Sequence, residues 1–204
     1  MAINLTAIAN LIDRLIAAFG RAVIWLALAV VLLQFAVVVL RYALSLGSIW
    51  LSESVLYAHA ALFMLAAAWT LQVNGHVRVD VFYADASPRT KALVDLLGAL
   101  LLLLPFMAVI LWFALPYVAR SWAILERSRE ASGLPLVYLL KTLIPLFALL
   151  MALAGIAQAI RAALALTSPP VTRGHSASED PRERALDPRV HPSSQDGLPA
   201  QGRQ

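Results

Sequence analysis

The sequence predicts an all-α integral membrane protein with four transmembrane helices and an N-terminal amphipathic helix at the membrane interface. Of the 204 residues, 61% are hydrophobic and only 14% are charged, whereas a soluble domain usually carries about 25% charged residues. The apolar residues fall into four runs. Each run is long enough to cross a hydrocarbon core of about 30 Å as a helix rising about 1.5 Å per residue.

Composition also narrows the classes of function. The chain has no cysteine, so disulfides, thiol nucleophiles and thiolate metal sites are excluded. The net charge of +4 does not indicate nucleic-acid binding, because the basic residues lie between the apolar runs and in the tail, where membrane topology explains them. Glycine-rich phosphate loops, catalytic triads and paired buried carboxylates are all missing from the sequence. We therefore predict neither an enzyme nor a cofactor.

The chain divides into three predicted regions. Residues 1–20 have apolar side chains at helical spacing and carry Asp13, which argues against a secretory signal. They are predicted to form the interfacial helix, with an early start of the first span as the alternative. Residues 21–166 form the transmembrane domain. Residues 167–204 are rich in Ser, Pro, Arg and acidic residues, without apolar periodicity, and are predicted to be a disordered tail.

Local signals set the boundaries of the spans. Asn74-Gly75 is a plausible stop for the second span, and Ser87-Pro88 is a strong helix start. Pro105 and Pro116 interrupt the third span, so a bend is expected there. The predicted spans are 22–40, 54–73, 92–118 and 137–160.

The basic residues near the span ends predict the orientation. Positively charged residues favour the cytoplasmic side of a membrane. One predicted side has seven of them and the other has four, which places both termini and the loop after the second span in the cytoplasm. The larger set is Arg14, Arg21, Arg78, Arg89, Lys91, Arg161 and Arg173, and the smaller set is Arg41, Arg120, Arg127 and Arg129.

The second span contains the most informative polar residues. Trp50 and Glu53 precede it, His59 lies inside it, and His76-Val77-Arg78-Val79-Asp80 follows it. His59 is the only histidine within a span, and a bis-histidine haem needs two, so a hydrogen bond to a neighbouring helix is the favoured interpretation. His76 and Asp80 could ligate a metal only with ligands from elsewhere.

Polar groups at mid-depth are too few for a transport pathway. Gln34 and His59 are the strongly polar residues there, whereas a pathway needs several converging polar groups. The charges gather at the two ends of the spans instead. The dense alanines of the second span would also let helices approach closely. Both features are typical of a helper subunit that docks onto other chains.

These residues also carry a family resemblance. The run 50–53 before the second span and the run 75–81 after it resemble the small membrane subunit of tripartite ATP-independent periplasmic (TRAP) transporters, the DctQ-like family. The resemblance covers residues 11–163. The branch labelled mannitol/chloroaromatic or 2-oxoacid is the one resembled at the run 57–60, Phe82-Tyr83, Leu134-Pro135 and Leu140-Lys141. Further matches are Ser121-Trp122, Glu126, Ser128, Gly133-Leu134-Pro135 and Ile144-Pro145.

The resemblance implies a four-helix subunit of the bacterial inner membrane. Its expected partners are a large multi-span permease, a periplasmic substrate-binding protein and the lipid bilayer, with no nucleic acid. The expected activity is uptake of an organic acid of the carboxylate class, driven by a sodium gradient through the large subunit. Two other classes are a four-span glutathione-using oxidoreductase and a haem- or quinone-binding anchor of a respiratory complex with His59 as ligand.

Two interactions are predicted for individual residues. Arg78 and Asp80 should tie the loop after the second span to helix ends or to the large subunit. Lys141 should pair with Glu53, with Glu126 or Glu130 as the competing partner. The full set of predicted partner-binding or structural positions is Trp50, Glu53, His59, His76, Arg78, Asp80, Glu126, Pro135 and Lys141.

Overall fold

The computed structural model describes residues 4–76 and 86–167, and all regular structure within them is helical. Four helical rods in this part of the chain are long and apolar enough to cross a membrane, which confirms the predicted fold class. In chain order the elements are α1 (Leu5–Ala43), α2 (Ile49–Gln72), α3 (Pro88–Leu97), a π-helical segment (Gly98–Leu103), α4 (Leu104–Ala123) and α5 (Val137–Thr167). The third rod is α3, the π-helical segment and α4 in succession.

Helix α1 is continuous through the predicted boundary at residue 20. Asn4 caps its start by accepting a hydrogen bond from the Ala7 N–H, and the helix then runs for 39 residues. At about 1.5 Å per residue this is about 58 Å, well beyond the hydrocarbon thickness of about 30 Å. The structure therefore shows an early helix start rather than a separate helix over residues 1–20. An interfacial location for its first turns stays a prediction.

The predicted stop and start signals between α2 and α3 are confirmed. Asn74 has a φ of 55°, its N–H donates to the Leu71 carbonyl, and the Gly75 N–H donates to the Thr70 carbonyl at 2.8 Å. This is the Schellman arrangement that ends many helices. After residues 77–85, which are outside the described part of the chain, the Ser87 hydroxyl accepts a hydrogen bond from the Thr90 N–H at the start of α3.

The interruption predicted at Pro105 takes the form of the π-helical segment just before it. Proline lacks an N–H group, and its ring conflicts with the carbonyl four residues earlier. The neighbouring Leu104 N–H donates to the Ala99 carbonyl, one residue further back than in an α-helix. Pro116 lies inside α4 without ending it. The bend itself stays a prediction.

Helix α5 is the centre of the bundle and packs against α1, α2, α3 and α4. Small side chains let helix backbones approach closely in lipid, and nearly all of its buried residues are small. Sequence analysis pointed instead to the alanines of α2, of which Ala68 alone is buried. The buried residues of α5 are Ala148, Met151, Ala154, Gly155, Ala157, Ala159 and Ala162.

Helices α1 and α2 approach most closely where Gly20 meets Trp69. A Cβ atom added at Gly20 would lie 2.5 Å from Cγ of Trp69 and 2.9 Å from its Cβ. A ring cannot yield at that distance as the end of a flexible side chain can. Gly20 is therefore needed for this helix contact.

We expect Gly20→Ala to lower the thermal unfolding temperature of the protein in detergent. The added methyl group forces α1 and α2 apart, and overpacking of this kind costs roughly 1–3 kcal/mol. Gly98→Ala is the matched control, because a Cβ there meets nothing within 4 Å and alanine favours a helix. An unchanged unfolding temperature for Gly20→Ala would contradict the assigned contact.

Candidate functional site

The polar side chains that join the helices gather in two layers at opposite ends of the bundle. The loop end contains Glu53, Glu126 and Lys141, and the terminal end contains Asp13 and Arg161. Lys141 and Arg161 lie on the same helix, 20 residues apart. That separation is about 30 Å along the axis, which matches the hydrocarbon thickness of a bilayer.

At the loop end, Glu53 binds the segment 124–136 to the start of α2. One carboxylate oxygen accepts from the Ser128 hydroxyl at 2.5 Å, and the other accepts from the Leu134 N–H at 2.5 Å. The Ser128 N–H in turn donates to the Leu134 carbonyl at 3.1 Å. Both carboxylate oxygens are therefore used in holding the segment between α4 and α5.

Gly133 makes room for this arrangement. A Cβ atom at this position would lie 2.8 Å from the Glu53 Oε1 atom and 2.5 Å from the Ser128 Cβ. Leu134 is buried, whereas Pro135, the next residue, is exposed just before α5 begins. Gly133 and Leu134 of the Gly-Leu-Pro sequence thus shape the contact with Glu53.

Lys141 forms an ion pair with Glu126, not with Glu53. Its Nζ lies 2.5 Å from Glu126 Oε2 and 4.3 Å from the centre of the Tyr117 ring, close enough for a cation–π contact. The same Glu126 oxygen accepts from the buried Ser121 hydroxyl at 2.6 Å. The predicted Glu53–Lys141 pair is wrong, and the competing partner Glu126 is the one bound. The reason is that the segment 124–136 folds back and brings Glu126 to the first turns of α5.

The ion pair keeps Glu126 charged. The hydrogen bonds from Lys141 and then from Ser121 lower the pKa of Glu126 below its ordinary value of 4.5. The positive charge of Arg129 acts in the same direction. A carboxylate with this pKa is ionised at neutral pH, so the Lys141 ammonium keeps its counter-charge there.

Aromatic residues surround the loop end. The Trp122 indole N–H donates to the Thr142 hydroxyl at 2.9 Å, and its ring meets Tyr138 edge-on at 4.7 Å between centroids. Trp50 lies exposed in the first turn of α2. Trp and Tyr are enriched where a membrane meets water, so their placement agrees with a membrane boundary at this layer.

At the terminal end, one cluster joins α1, α2 and α5. Arg161 forms an ion pair with Asp13, and the Gln72 side-chain amide donates to the Asp13 carbonyl at 2.9 Å. A cavity of about 420 Å³ lies beside the pair, with Lys91 and Asp95 in its lining. Sequence analysis missed this cluster. The available signal was the opposite charge of Asp13 and Arg161 at the same predicted end.

The remaining predicted positions have different outcomes. His59 is exposed, and no hydrogen bond to it occurs within the described residues, so the expected bond to a neighbouring helix stays a prediction. His76 is exposed after α2. Arg78, Asp80 and the tail after Thr167 lie outside the described residues. In residues 4–76 and 86–167, no group of three or more His, Asp or Glu side chains could hold a metal.

The Glu126–Lys141 pair predicts a double-mutant result. The effects of Glu126→Gln and Lys141→Met on the unfolding temperature should be non-additive, because each substitution removes the same ion pair. Glu53→Gln with Lys141→Met is the matched control and should be closer to additive. Strict additivity for the Glu126 cycle would contradict the pair.

The same pair has a defined pH dependence. Because the folded-state pKa of Glu126 is lowered from 4.5, its contribution to stability is fully present above about pH 4.5 and is lost as the pH falls through the lower, folded-state pKa. The difference in unfolding temperature between the wild type and Glu126→Gln should shrink over that range.

Comparison with known proteins agrees with this architecture. No curated protein and no solved structure matches the chain. The family model described as "Tripartite ATP-independent periplasmic transporters, DctQ component" matches residues 29–165, more than half of the chain. The match includes the whole loop-end layer, α2 and α5 up to Ala165. The chain therefore belongs to the DctQ family and is a small membrane subunit of a TRAP transporter.

Proposed function

We propose that this protein is a helper subunit, which assembles with a large multi-span permease and a periplasmic substrate-binding protein for uptake of an organic acid. The family match supports the role in transport. The helper role is supported by the apolar stretches of the four spans, which contain no charged residue over 22–40, 54–71, 96–119 and 142–160. A substrate pathway needs converging polar groups at mid-depth, so the pathway belongs to the permease.

The packing also supports a bracing role for this subunit, with the substrate pathway in the permease. The centre of the bundle is filled by the small residues of α5, while large apolar side chains such as Phe35 and Phe63 are exposed on the outside. A packed interior braces a complex but conducts nothing. The outer faces are available to lipid and to the permease.

The proposed substrate and energy source rest on the family resemblance. The substrate is a carboxylate, and a sodium gradient drives its uptake through the permease. Selectivity among carboxylates lies with the binding protein and the permease. Arg78 and Asp80 are proposed to tie the loop after α2 to helix ends or to the permease.

Reconstitution tests the helper role. Vesicles that contain this subunit alone should take up no carboxylate, whereas vesicles with the permease and binding protein added should show uptake that requires an inward sodium gradient. A potassium gradient of the same size is the control. Uptake by this subunit alone would contradict the proposal, and a haem absorption band from the purified protein would favour a redox anchor.

The orientation is proposed from the count of basic residues. The loop end faces the periplasm, and the terminal end faces the cytoplasm with both termini. The chain has no cysteine, so single cysteines report the side directly. Gly47→Cys and Ser132→Cys should react with a membrane-impermeant thiol reagent from outside, and His76→Cys should react only after permeabilisation. All three positions are exposed, and labelling of His76→Cys from outside would reverse the orientation.

A further inference from the structure

One face of α2 is uncovered over the half of the helix nearer the loop end. Its residues recur every three or four positions, and all are exposed: Ile49, Ser52, Leu56, His59 and Phe63. We call them the His59 face. Beyond Phe63, residues 64–72 are all half-buried or buried, because α2 packs there against α1 and α5.

His59 is an unfavourable residue to expose to lipid. It lies six residues beyond Glu53, about 9 Å further toward the middle of the bundle. An imidazole is too short to reach water from that depth as a lysine can. Hydrocarbon chains offer no hydrogen bond, and none is made within the described residues. A polar side chain at this depth normally faces protein or a water-filled cavity.

The shape of the face fits another helix. Spacing by three and four residues is the pattern of a helix–helix seam, and Ser52 is small enough for close approach. Toward the loop end the face opens into a groove of about 620 Å³, whose lining includes Arg41, Ser52 and Glu130. The uncovered strip therefore continues from the membrane boundary down to Phe63.

A second copy of this chain is the competing occupant. Two copies inserted with the same orientation would use the same patch on both, and because the groove carries both Arg41 and Glu130, its charges do not separate a second copy from a different chain. The family match describes the chain as one component of a tripartite transporter, so the proposed function supplies a different membrane chain as the partner. The cross-linking experiment below distinguishes the two occupants.

We infer that the His59 face docks a transmembrane helix of the permease, and that this helix presents a hydrogen-bonding side chain to His59. The inference rests on the proposed function, which supplies the permease as partner. It assigns α2 two roles: its inner side holds the bundle together, and its outer side binds the partner.

Photo-cross-linking in the assembled transporter tests the face. A photoreactive residue in place of Leu56 or Phe63 should cross-link this subunit to the permease. The matched control is Ala68, on the buried side of α2, which should yield no permease adduct. Adducts from Leu56 and Phe63 only with a second copy of this chain would overturn the inference.

Substitution tests the hydrogen bond. His59→Leu keeps the approximate size but cannot hydrogen-bond, and it should lower recovery of the permease with the tagged subunit by about three- to tenfold. His59→Gln should restore most of it. Trp112→Phe removes an exposed N–H group from α4 and should leave recovery unchanged. Because no hydrogen bond to His59 occurs within residues 4–76 and 86–167, His59→Leu should not lower the unfolding temperature of the isolated subunit.

The outcomes separate the two proposals. If the wild-type subunit recovers no permease, the proposed function and the inference both fail. If the wild type recovers the permease and His59→Leu recovers it equally, with no permease adduct from Leu56 or Phe63, the inference alone is wrong.

Discussion

A hydrocarbon layer can neither hydrate a charge nor hydrogen-bond to it, and this constraint organises the described part of the chain. Helix α5 carries a cation near each end of its apolar stretch, and each cation is met by a carboxylate from another segment. Glu126 reaches Lys141 from the segment after α4, and Asp13 reaches Arg161 from α1. The two ion pairs are about one hydrocarbon thickness apart. They therefore join the helices where the membrane allows charge.

Between the two polar layers, the described helices are held together by side-chain packing and not by polar contacts. Helix α5 contacts the other four helices through a surface of mostly Ala and Gly, and Gly20 lets α1 lie against Trp69 of α2. Lipid tails are as apolar as leucine, so close van der Waals contact, not the hydrophobic effect, favours such association. Close packing of this kind holds the described helices in fixed positions against one another. That property is what the proposed helper role requires of a transporter component.

Some features of the fold could be predicted from the conformational preferences of neighbouring residues alone. The stop at Asn74-Gly75 and the start at Ser87-Pro88 follow from backbone and capping preferences of the residues themselves, and both were predicted. The partner of Lys141 was not predicted correctly. Glu53 and Glu126 both lie at the loop end of the bundle, and only the fold of the segment 124–136 decides which of them reaches Lys141. The centrality of α5 and the Asp13–Arg161 pair were missed for the same reason. They depend on which helices are neighbours, and apolar runs of similar length do not specify that.

Glu53 and His59 of α2 show how one helix can serve two interfaces. Six residues separate Glu53 from His59, which places them about 120° apart around the helix axis. Glu53 is turned toward the segment 124–136 and has both oxygens bound there, whereas His59 is exposed. The carboxylate lies at the membrane boundary, where it is bound by groups of its own chain. The imidazole lies deeper, where lipid chains offer no hydrogen bond and the described residues supply none. The proposed docking of a permease helix on the His59 face would place stability within the subunit and affinity for a partner on different sides of the same helix.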